Sequence, residues 1–149
     1  MRDFNKWHVR YLDLAKHIGS WSKDTTKIGA VVIDREYGQV MSQGYNGFAR
    51  GVEDLPVRMQ DRDVKLKYVI HAEMNCIYNA SLTGMSLRDC MLYVDGLPPC
   101  SECAKGIIQA GISSVYMRFP QNLEGRWKES YALSKELLSE ANVHHEIIL

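Results

Sequence analysis

The sequence predicts a layered α/β fold. Short runs rich in β-branched and aromatic residues alternate with segments whose apolar residues recur at helical spacing. Strands that alternate with helices in this way are typical of layered α/β domains. The chain has 149 residues, without an internal repeat or low-complexity tract. We therefore predict a single domain over residues 1–149.

Each predicted element has a local reason. Apolar residues from Phe4 to Ile18 recur at helical spacing, with Asp3 as the N-cap and Gly19 at the end. The turn at residues 35–38 joins the first two strands as a hairpin. The predicted elements are, in order, a helix over 4–18, strands over 27–34 and 39–46, a long polar loop over 47–67, a helix over 72–82, a strand over 90–96, a helix over 101–111, a strand over 113–117, a helix over 127–141 and a strand over 144–149. Loops of that length are often functional.

The charge balance and hydropathy exclude several classes of protein. Lys and Arg number 18, as do Asp and Glu, so no global field attracts nucleic acid or an anionic membrane. The apolar runs are too short to cross a bilayer, and the charged N-terminus is not a signal peptide. We therefore expect a cytoplasmic protein with no nucleic-acid or membrane partner. Its four cysteines are then expected as reduced thiols or metal ligands.

Two cysteines have the spacing of metal ligands. Cys100 and Cys103 follow Pro99 at a predicted helix start, where residues three apart face the same way. The helix N-terminus lowers the pKa of a thiol and favours the thiolate. Two thiolates leave a tetrahedral zinc ion two ligands short, and His71 also begins a predicted helix. With His71 as the third ligand, the fourth position would hold water, as in catalytic zinc sites.

Glu73 lies two residues beyond His71 and would reach that water without binding the metal, so we interpret it as the group that transfers protons. A lone C-x-x-C is commonly a redox pair or half of a structural zinc site, and a lone H-x-E usually arises by chance. A non-catalytic zinc-binding interaction module would have no use for Glu73. H-x-E followed by P-C-x-x-C is the signature of zinc nucleobase deaminases. Cys76 and Cys90 have no comparable partner and are predicted to be buried small hydrophobic residues.

Residues 23–116 resemble the deoxycytidylate deaminases within the cytidine deaminase superfamily. The matching segments are KDTTKIGAVVID, SQGYNGFARG, YVIHAEMNCIYNA and LYVDGLPPCSECAKGIIQAGI. GYNG at residues 44–47 and CAKGIIQAGI after the cysteine pair indicate this branch of the superfamily. The resemblance implies a three-layer α/β/α fold with a central five-stranded mixed sheet.

The resemblance also implies roles for individual residues. His71, Cys100 and Cys103 would hold one zinc ion per chain, and Glu73 would shuttle protons. The implied substrate contacts are Asn46 to the sugar, the backbone of Ala72 to the pyrimidine carbonyl oxygen, and the carbonyl of Pro98 to the amino group. Many relatives carry an aromatic residue where this chain has Pro98, which changes the wall of the pocket.

The activity implied by the resemblance is hydrolysis of dCMP to dUMP and ammonia, which supplies thymidylate synthesis. Relatives in this branch are typically hexamers that dCTP activates and dTTP inhibits. Mg2+ can be bound together with the regulatory triphosphate. The implied effector-site residues are Gly44, Tyr45, Asn46, Gly47 and Lys27. Two alternatives stay open. The first is that the deaminase acts on a nucleoside, a free base, dCTP or tRNA instead of dCMP. The second is that the glycines of GYNG only form a turn and bind no effector. The candidates for binding the phosphate are Lys23, Lys27, Arg50, Arg58 and Arg118.

Overall fold

The structure is a computed structural model that describes residues 4–149, so the predicted cap Asp3 lies outside the described residues. Its elements are α1 (Phe4–Gly19), β1 (Gly29–Ile33), β2 (Val40–Tyr45), β3 (Gly47–Phe48), α2 (Pro56–Gln60), α3 (Arg62–Tyr68), β4 (Val69–Ile70), α4 (Ala72–Leu82), β5 (Met91–Asp95), α5 (Ser101–Gln109), β6 (Ser114–Arg118), α6 (Gly125–Glu140) and β7 (His144–Ile147). Within residues 4–149, no helix has the length and apolar character needed to cross a membrane.

The main sheet has five strands in the order β2-β1-β5-β6-β7. β1 runs antiparallel to both β2 and β5, whereas β5, β6 and β7 are mutually parallel. This arrangement confirms the five-stranded mixed sheet. The remaining two strands, β3 and β4, form a separate small antiparallel pair.

Both faces of the sheet are covered, which explains why every residue of β1 is buried. Val31 and Ile33 point to one face, where they pack with the apolar side of α1. Ala30 and Val32 point to the other face and join a larger core with residues from α4, α5 and α6. Alternate residues of a strand face opposite sides, so a fully apolar strand fits the middle of three layers.

The core beneath α1 contains a buried histidine, His8. Its Nδ1 lies 2.7 Å from the hydroxyl of Tyr93, and its ring stacks on Tyr116 with centroids 4.1 Å apart. Burial lowers the pKa of His8; the charge of Glu146 opposes this shift, and that of His144 adds to it. The neutral imidazole is therefore the form that this core favours.

The prediction of a loop over residues 47–67 is wrong in part, because β3, α2 and most of α3 fall within it. Pro56 begins α2, a position that proline favours. Asp61 caps α3 by accepting hydrogen bonds from the backbone N–H groups of Asp63 and Val64. Neither helix has a buried residue. They therefore lack the apolar periodicity by which a sequence usually reveals a helix.

Candidate active site

The site forms where the N-termini of α4 and α5 meet. His71 is the N-cap residue of α4, and Cys100 is the N-cap residue of α5. The Nδ1 atom of His71 lies 3.3 Å from Sγ of Cys103 and 3.4 Å from Sγ of Cys100. The two helices approach closely because α5 carries Gly106 at the contact. A Cβ atom there would lie 2.5 Å from the sulfur of Met74 on α4.

These three residues fit a catalytic type of zinc site. Each offers one ligand atom, and the three atoms lie within 4.8 Å of one another. One imidazole nitrogen and two thiolates fill three positions of tetrahedral zinc and leave the fourth for water. Within residues 4–149, no other group of three or more His, Cys, Asp and Glu side chains is close enough to share an ion.

Hydrogen bonds determine which thiol of the pair ionises first. The thiol and the backbone N–H of Cys103 both donate to Cys100, and His71 lies beside it, so the pKa of Cys100 falls to about 4. The pKa of Cys103 is raised, because its thiol donates to Cys100 and is itself buried. Contact with Cys100 also raises the pKa of His71, although burial opposes that shift. Of the two thiols, Cys100 is therefore the one that these contacts favour as a thiolate.

Glu73 lies in the first turn of α4 and is 3% exposed. Burial raises the pKa of its carboxyl group, while the charge of His71 and a hydrogen bond with Cys103 act in the opposite direction. The carboxyl group therefore contacts the ligand cluster without belonging to it. A carboxylate with a raised pKa, held beside a metal site, suits a group that accepts and then returns a proton.

A cleft of about 710 Å³ opens onto His71. Trp127, in the first turn of α6, forms part of its wall, and the centroid of its ring lies 6.4 Å from that of His71. Apolar atoms of Ile28, Leu97 and Val69 continue the lining. The apolar part of the cleft that includes Trp127, the slot beside His71, fits the planar ring of a base.

The side chains around this cleft carry an excess of positive charge. Four are basic and one, Asp24, is acidic; the basic ones are Lys23, Arg62, Lys65 and Arg126. Lys23 is paired with Asp54, and Lys65 is paired with Asp24. In the part of the chain that the structure describes, Arg62 and Arg126 have no side-chain hydrogen bond or ion pair.

Of the five basic residues named from the sequence as phosphate candidates, Lys23 alone lines this cleft. Lys27 donates to the backbone carbonyl of Ser22, and Arg50 donates to Asn79. The other two are held elsewhere: Arg58 lies over the ring of Tyr68, and Arg118 pairs with Asp95 and Asp13. The cleft cations that the sequence did not single out are Arg62, Lys65 and Arg126.

The residues matched to substrate contacts lie close to the ligand cluster. Ala72 and Pro98 are buried, one directly after His71 and the other two residues before Cys100. Asn46 is also buried and lines the cleft. Its side-chain amide already accepts a hydrogen bond from the backbone of Ile28 (3.0 Å) and donates one to Thr26 (2.7 Å). One amide N–H of Asn46 therefore remains for a ligand.

Among the residues matched to the effector site, some are packed against the rest of the protein and others are exposed. Gly44 packs against α4 so closely that a Cβ atom would lie 2.5 Å from the backbone nitrogen of Cys76. A Cβ atom at Gly47 would meet only the ring of Tyr45, at 3.8 Å, and Tyr45 is exposed. All three line a second cleft of about 390 Å³, which also includes Arg50. Lys27 lies outside this second cleft.

The three-layer fold and the H-x-E and P-C-x-x-C residues at two adjacent helix N-termini define a zinc-dependent deaminase type of domain. Residues 5–119 match the family model described as the cytidine and deoxycytidylate deaminase zinc-binding region, and the chain belongs to this family.

Several known proteins are similar to this chain. A probable deoxycytidylate deaminase of Caenorhabditis elegans is 39% identical over 148 residues, which cover 97% of this chain and 71% of that protein. The human deoxycytidylate deaminase is 39% identical over 119 residues, 76% of this chain and 65% of the human one. The crystal structure of the dCMP deaminase from cyanophage S-TIM5 in complex with dCMP and dUMP superposes with a TM-score of 0.73. That match has 25% identity and covers 99% of this chain and 98% of the phage chain. The likeness confirms the cytidine-deaminase-like fold.

Proposed function

We propose that this protein hydrolyses dCMP to dUMP and ammonia and so supplies dUMP for thymidylate synthesis. The observation that carries the proposal is the buried Glu73 carboxyl beside the cluster of His71, Cys100 and Cys103. A redox pair or a closed structural zinc site has no role for such a carboxyl. The deoxycytidylate deaminases among its relatives support dCMP as the substrate.

The charge of the cleft supports a nucleotide substrate over a free nucleoside or base. The chain as a whole has no net charge, yet the Lys and Arg side chains around the cleft outnumber its one Asp by four to one. Two of these cations, Arg62 and Arg126, are not neutralised by a carboxylate among the described residues. A phosphate monoester is an anion that such guanidinium groups bind well.

The residues of this chain account for the proton transfers of the reaction. His71, Cys100 and Cys103 would hold the zinc ion, which would supply a Lewis acid that lowers the pKa of a water molecule toward neutrality. Glu73 accepts the proton of that water and passes it to N3 of the cytosine ring. The carbon–oxygen bond at C4 forms as the N3=C4 double bond opens and N3 takes the proton, which leaves C4 tetrahedral. Glu73 then carries the remaining hydroxyl proton to the amino nitrogen, the C4–N bond breaks as the C4=O bond forms, and the nitrogen leaves as ammonia.

The contacts that orient the base come from short stretches next to the catalytic groups. We assign the remaining amide N–H of Asn46 to the sugar, the backbone of Ala72 to the pyrimidine carbonyl oxygen, and the carbonyl of Pro98 to the amino group. Trp127 closes the side of the slot that faces His71. The base is then held between the ring of Trp127 and the ligand cluster.

We further propose that the protein is a homo-oligomer, a hexamer, that dCTP activates and dTTP inhibits. The support is the second cleft, lined by Gly44, Tyr45 and Gly47, and the exposed apolar side chains Tyr78 and Leu82 on the outer side of α4. A bound triphosphate would bring Mg2+ with it. A cytoplasmic location fits four cysteines that form no disulfide.

A panel of substrates tests the proposed reaction. Ammonia release is measured with dCMP, CMP, deoxycytidine, dCTP, cytosine and an adenosine-containing tRNA anticodon stem. We expect the highest kcat/KM for dCMP. A preference for tRNA, or for cytosine over every nucleotide, would refute the assignment of the substrate and leave the deaminase site in place.

Regulation is tested on the same protein by the dependence of rate on dCMP concentration. We expect a sigmoidal curve that dCTP with Mg2+ makes hyperbolic and dTTP shifts to higher dCMP. Two effectors can act in opposite directions only if each binds one state of the oligomer more tightly. A hyperbolic curve that neither nucleotide alters, from a protein that sediments as a monomer, would refute the regulatory proposal.

A further inference from the structure

One wall of the active-site cleft is attached to the rest of the protein unusually weakly. This wall consists of α2 and α3, whose residues Met59, Arg62 and Leu66 line the cleft. Neither helix has a buried residue. An element without buried apolar side chains gains little of the burial free energy that fixes a position in a fold.

A polar contact holds this wall in place. The Nζ atom of Lys65 on α3 lies 2.9 Å from the carboxylate of Asp24, in the segment before β1. The side chains of Lys65 and Asp24 are 17% and 6% exposed, so solvent screens this ion pair less than it screens a surface pair. Asp24 also accepts a hydrogen bond from the backbone of Thr26. The pair therefore fixes where α3 is anchored, one turn along the helix from Arg62.

Two arginines from separate elements line the cleft, and neither has a carboxylate partner among the described residues. Arg62 begins α3, and Arg126 lies in the first turn of α6, next to Trp127. The other two cleft cations, Lys23 and Lys65, already have carboxylate partners. A dianion that enters this cleft would therefore interact most favourably with Arg62 and Arg126.

We propose that Arg62 and Arg126 clamp the 5′-phosphate of the nucleotide between them and thereby draw the α2–α3 wall closed over the base. The inference rests on the proposed function and specifies how its substrate is selected. Each guanidinium can present two N–H groups to phosphate oxygens, so one phosphate can bridge both side chains. The Lys65–Asp24 pair acts as the pivot, and closure presses the wall toward the slot beside Trp127.

A clamp of this kind predicts how the phosphate affects rate. Part of the energy of phosphate binding is used to close the wall, so the phosphate raises kcat as well as lowering KM. Deoxycytidine, which lacks the phosphate, should leave the wall open and react slowly. Inorganic phosphate added with deoxycytidine should occupy the clamp and restore part of the lost kcat.

The test compares Arg62→Gln, Arg126→Gln and the double variant with a matched control. Arg88→Gln is the control, since Arg88 is exposed, lies outside the cleft and has no side-chain partner among the described residues. We expect each single cleft variant to lower kcat/KM for dCMP about 10- to 100-fold, the effect of one lost charged hydrogen-bonding group. Their kcat/KM for deoxycytidine should stay within about twofold of wild type, and phosphate should no longer activate it.

The double variant separates a clamp from two independent surface charges. Because closure needs both arms, the second substitution should cost less than the first, which is the non-additivity of residues that act together. Equal losses for dCMP and deoxycytidine, or strictly additive losses with kcat unchanged, would overturn the clamp. So would an Arg88→Gln variant as impaired as the two cleft variants.

Calorimetric measurement of dUMP binding distinguishes a failure of the proposed clamp from a failure of the proposed reaction. Wild-type protein that binds dUMP in an Arg62-dependent way, yet releases no ammonia from dCMP, would retain the clamp and refute the proposed reaction. Wild-type protein that deaminates dCMP, with both arginine variants unimpaired in rate and in dUMP binding, would refute the clamp and retain the reaction.

Discussion

Replacing Gly44 by alanine should damage both the fold and the active site. Gly44 lies in β2 where the strand packs against the first turns of α4. A Cβ atom at this position would lie 2.5 Å from the nitrogen of Cys76, 2.7 Å from the oxygen of Ala72 and 2.9 Å from the carbonyl carbon of Asn75. All three are backbone atoms of α4, so no side-chain rotation can relieve the overlap.

The size of the effect follows from these distances. Non-bonded carbon atoms prefer separations of about 3.5–4.0 Å. The helix must therefore move by roughly half an ångström to one ångström, and overpacking of this kind typically costs about 1–3 kcal/mol. The same helix carries Glu73 and begins at His71. A misplacement of about one ångström at a catalytic group can lower the rate about 100-fold.

The assay is urea unfolding together with dCMP turnover, and Gly47→Ala is the matched control. A Cβ atom at Gly47 would meet nothing closer than 3.8 Å, at the ring of Tyr45. Gly47→Ala should therefore change the free energy of unfolding by less than about 0.5 kcal/mol. If Gly44→Ala were as stable and as active as wild type, the account of how β2 positions α4 would be refuted.

Three further predictions concern other parts of the structure. Burial lowers the pKa of His8, so between that lowered pKa and about 6.5 the unfolded chain binds more protons than the folded one, and the free energy of unfolding should rise with pH across this window. In urea unfolding, His8→Asn, which has the same metal ligands, should show a smaller rise. Lys65→Met leaves the carboxylate of Asp24 without its cation and should cost about 1–3 kcal/mol, whereas Lys67→Met, exposed on the same helix, should cost under about 0.5 kcal/mol in the same assay. Trp127→Ala should retain zinc yet raise the KM for dCMP about tenfold, because the base loses an aromatic wall; an unchanged KM would place the base elsewhere.

The order of strands and helices was largely predictable from the sequence. The run GAVVI is apolar at every position, which only a strand covered on both faces can satisfy, and the structure buries all of it. The helix at residues 72–82 was predicted with the boundaries that the structure has. Cys76 and Cys90 are buried, as expected of small apolar residues. That residues 1–149 form a single domain stays a prediction.

The cleft was only partly predictable, because its walls lie outside the motifs. His71, Glu73, Cys100 and Cys103 were predicted from their spacing and from the H-x-E and P-C-x-x-C signature, since a metal site imposes its own pattern of residue types, and the structure brings the three predicted ligands together. The basic residues of the rim have no such pattern. Arg62 lies in a helix that buries nothing, and Arg126 is the second residue of α6, one residue before the predicted start of that helix. Both face the cleft only because of how separate elements pack, which no local signal records.

Gly44 shows why a motif match does not by itself identify a contact. The GYNG residues were matched to an effector site and to the substrate sugar. The structure gives Gly44 a packing role against α4, and it engages the side chain of Asn46 with the backbone of Ile28 and Thr26. These positions therefore maintain the geometry of the site whatever ligand binds beside them.

The most direct test of the central claim is ammonia release from dCMP by wild-type protein and by Glu73→Gln. Glutamine fills the space of the buried carboxyl but cannot accept the proton of water. We expect the variant to bind about one zinc per chain, as wild type does, and to keep its stability, while kcat falls by a factor of about 100 to 10,000. Retention of more than about a tenth of the wild-type kcat, at full zinc content, would contradict the assignment of Glu73 as the proton carrier.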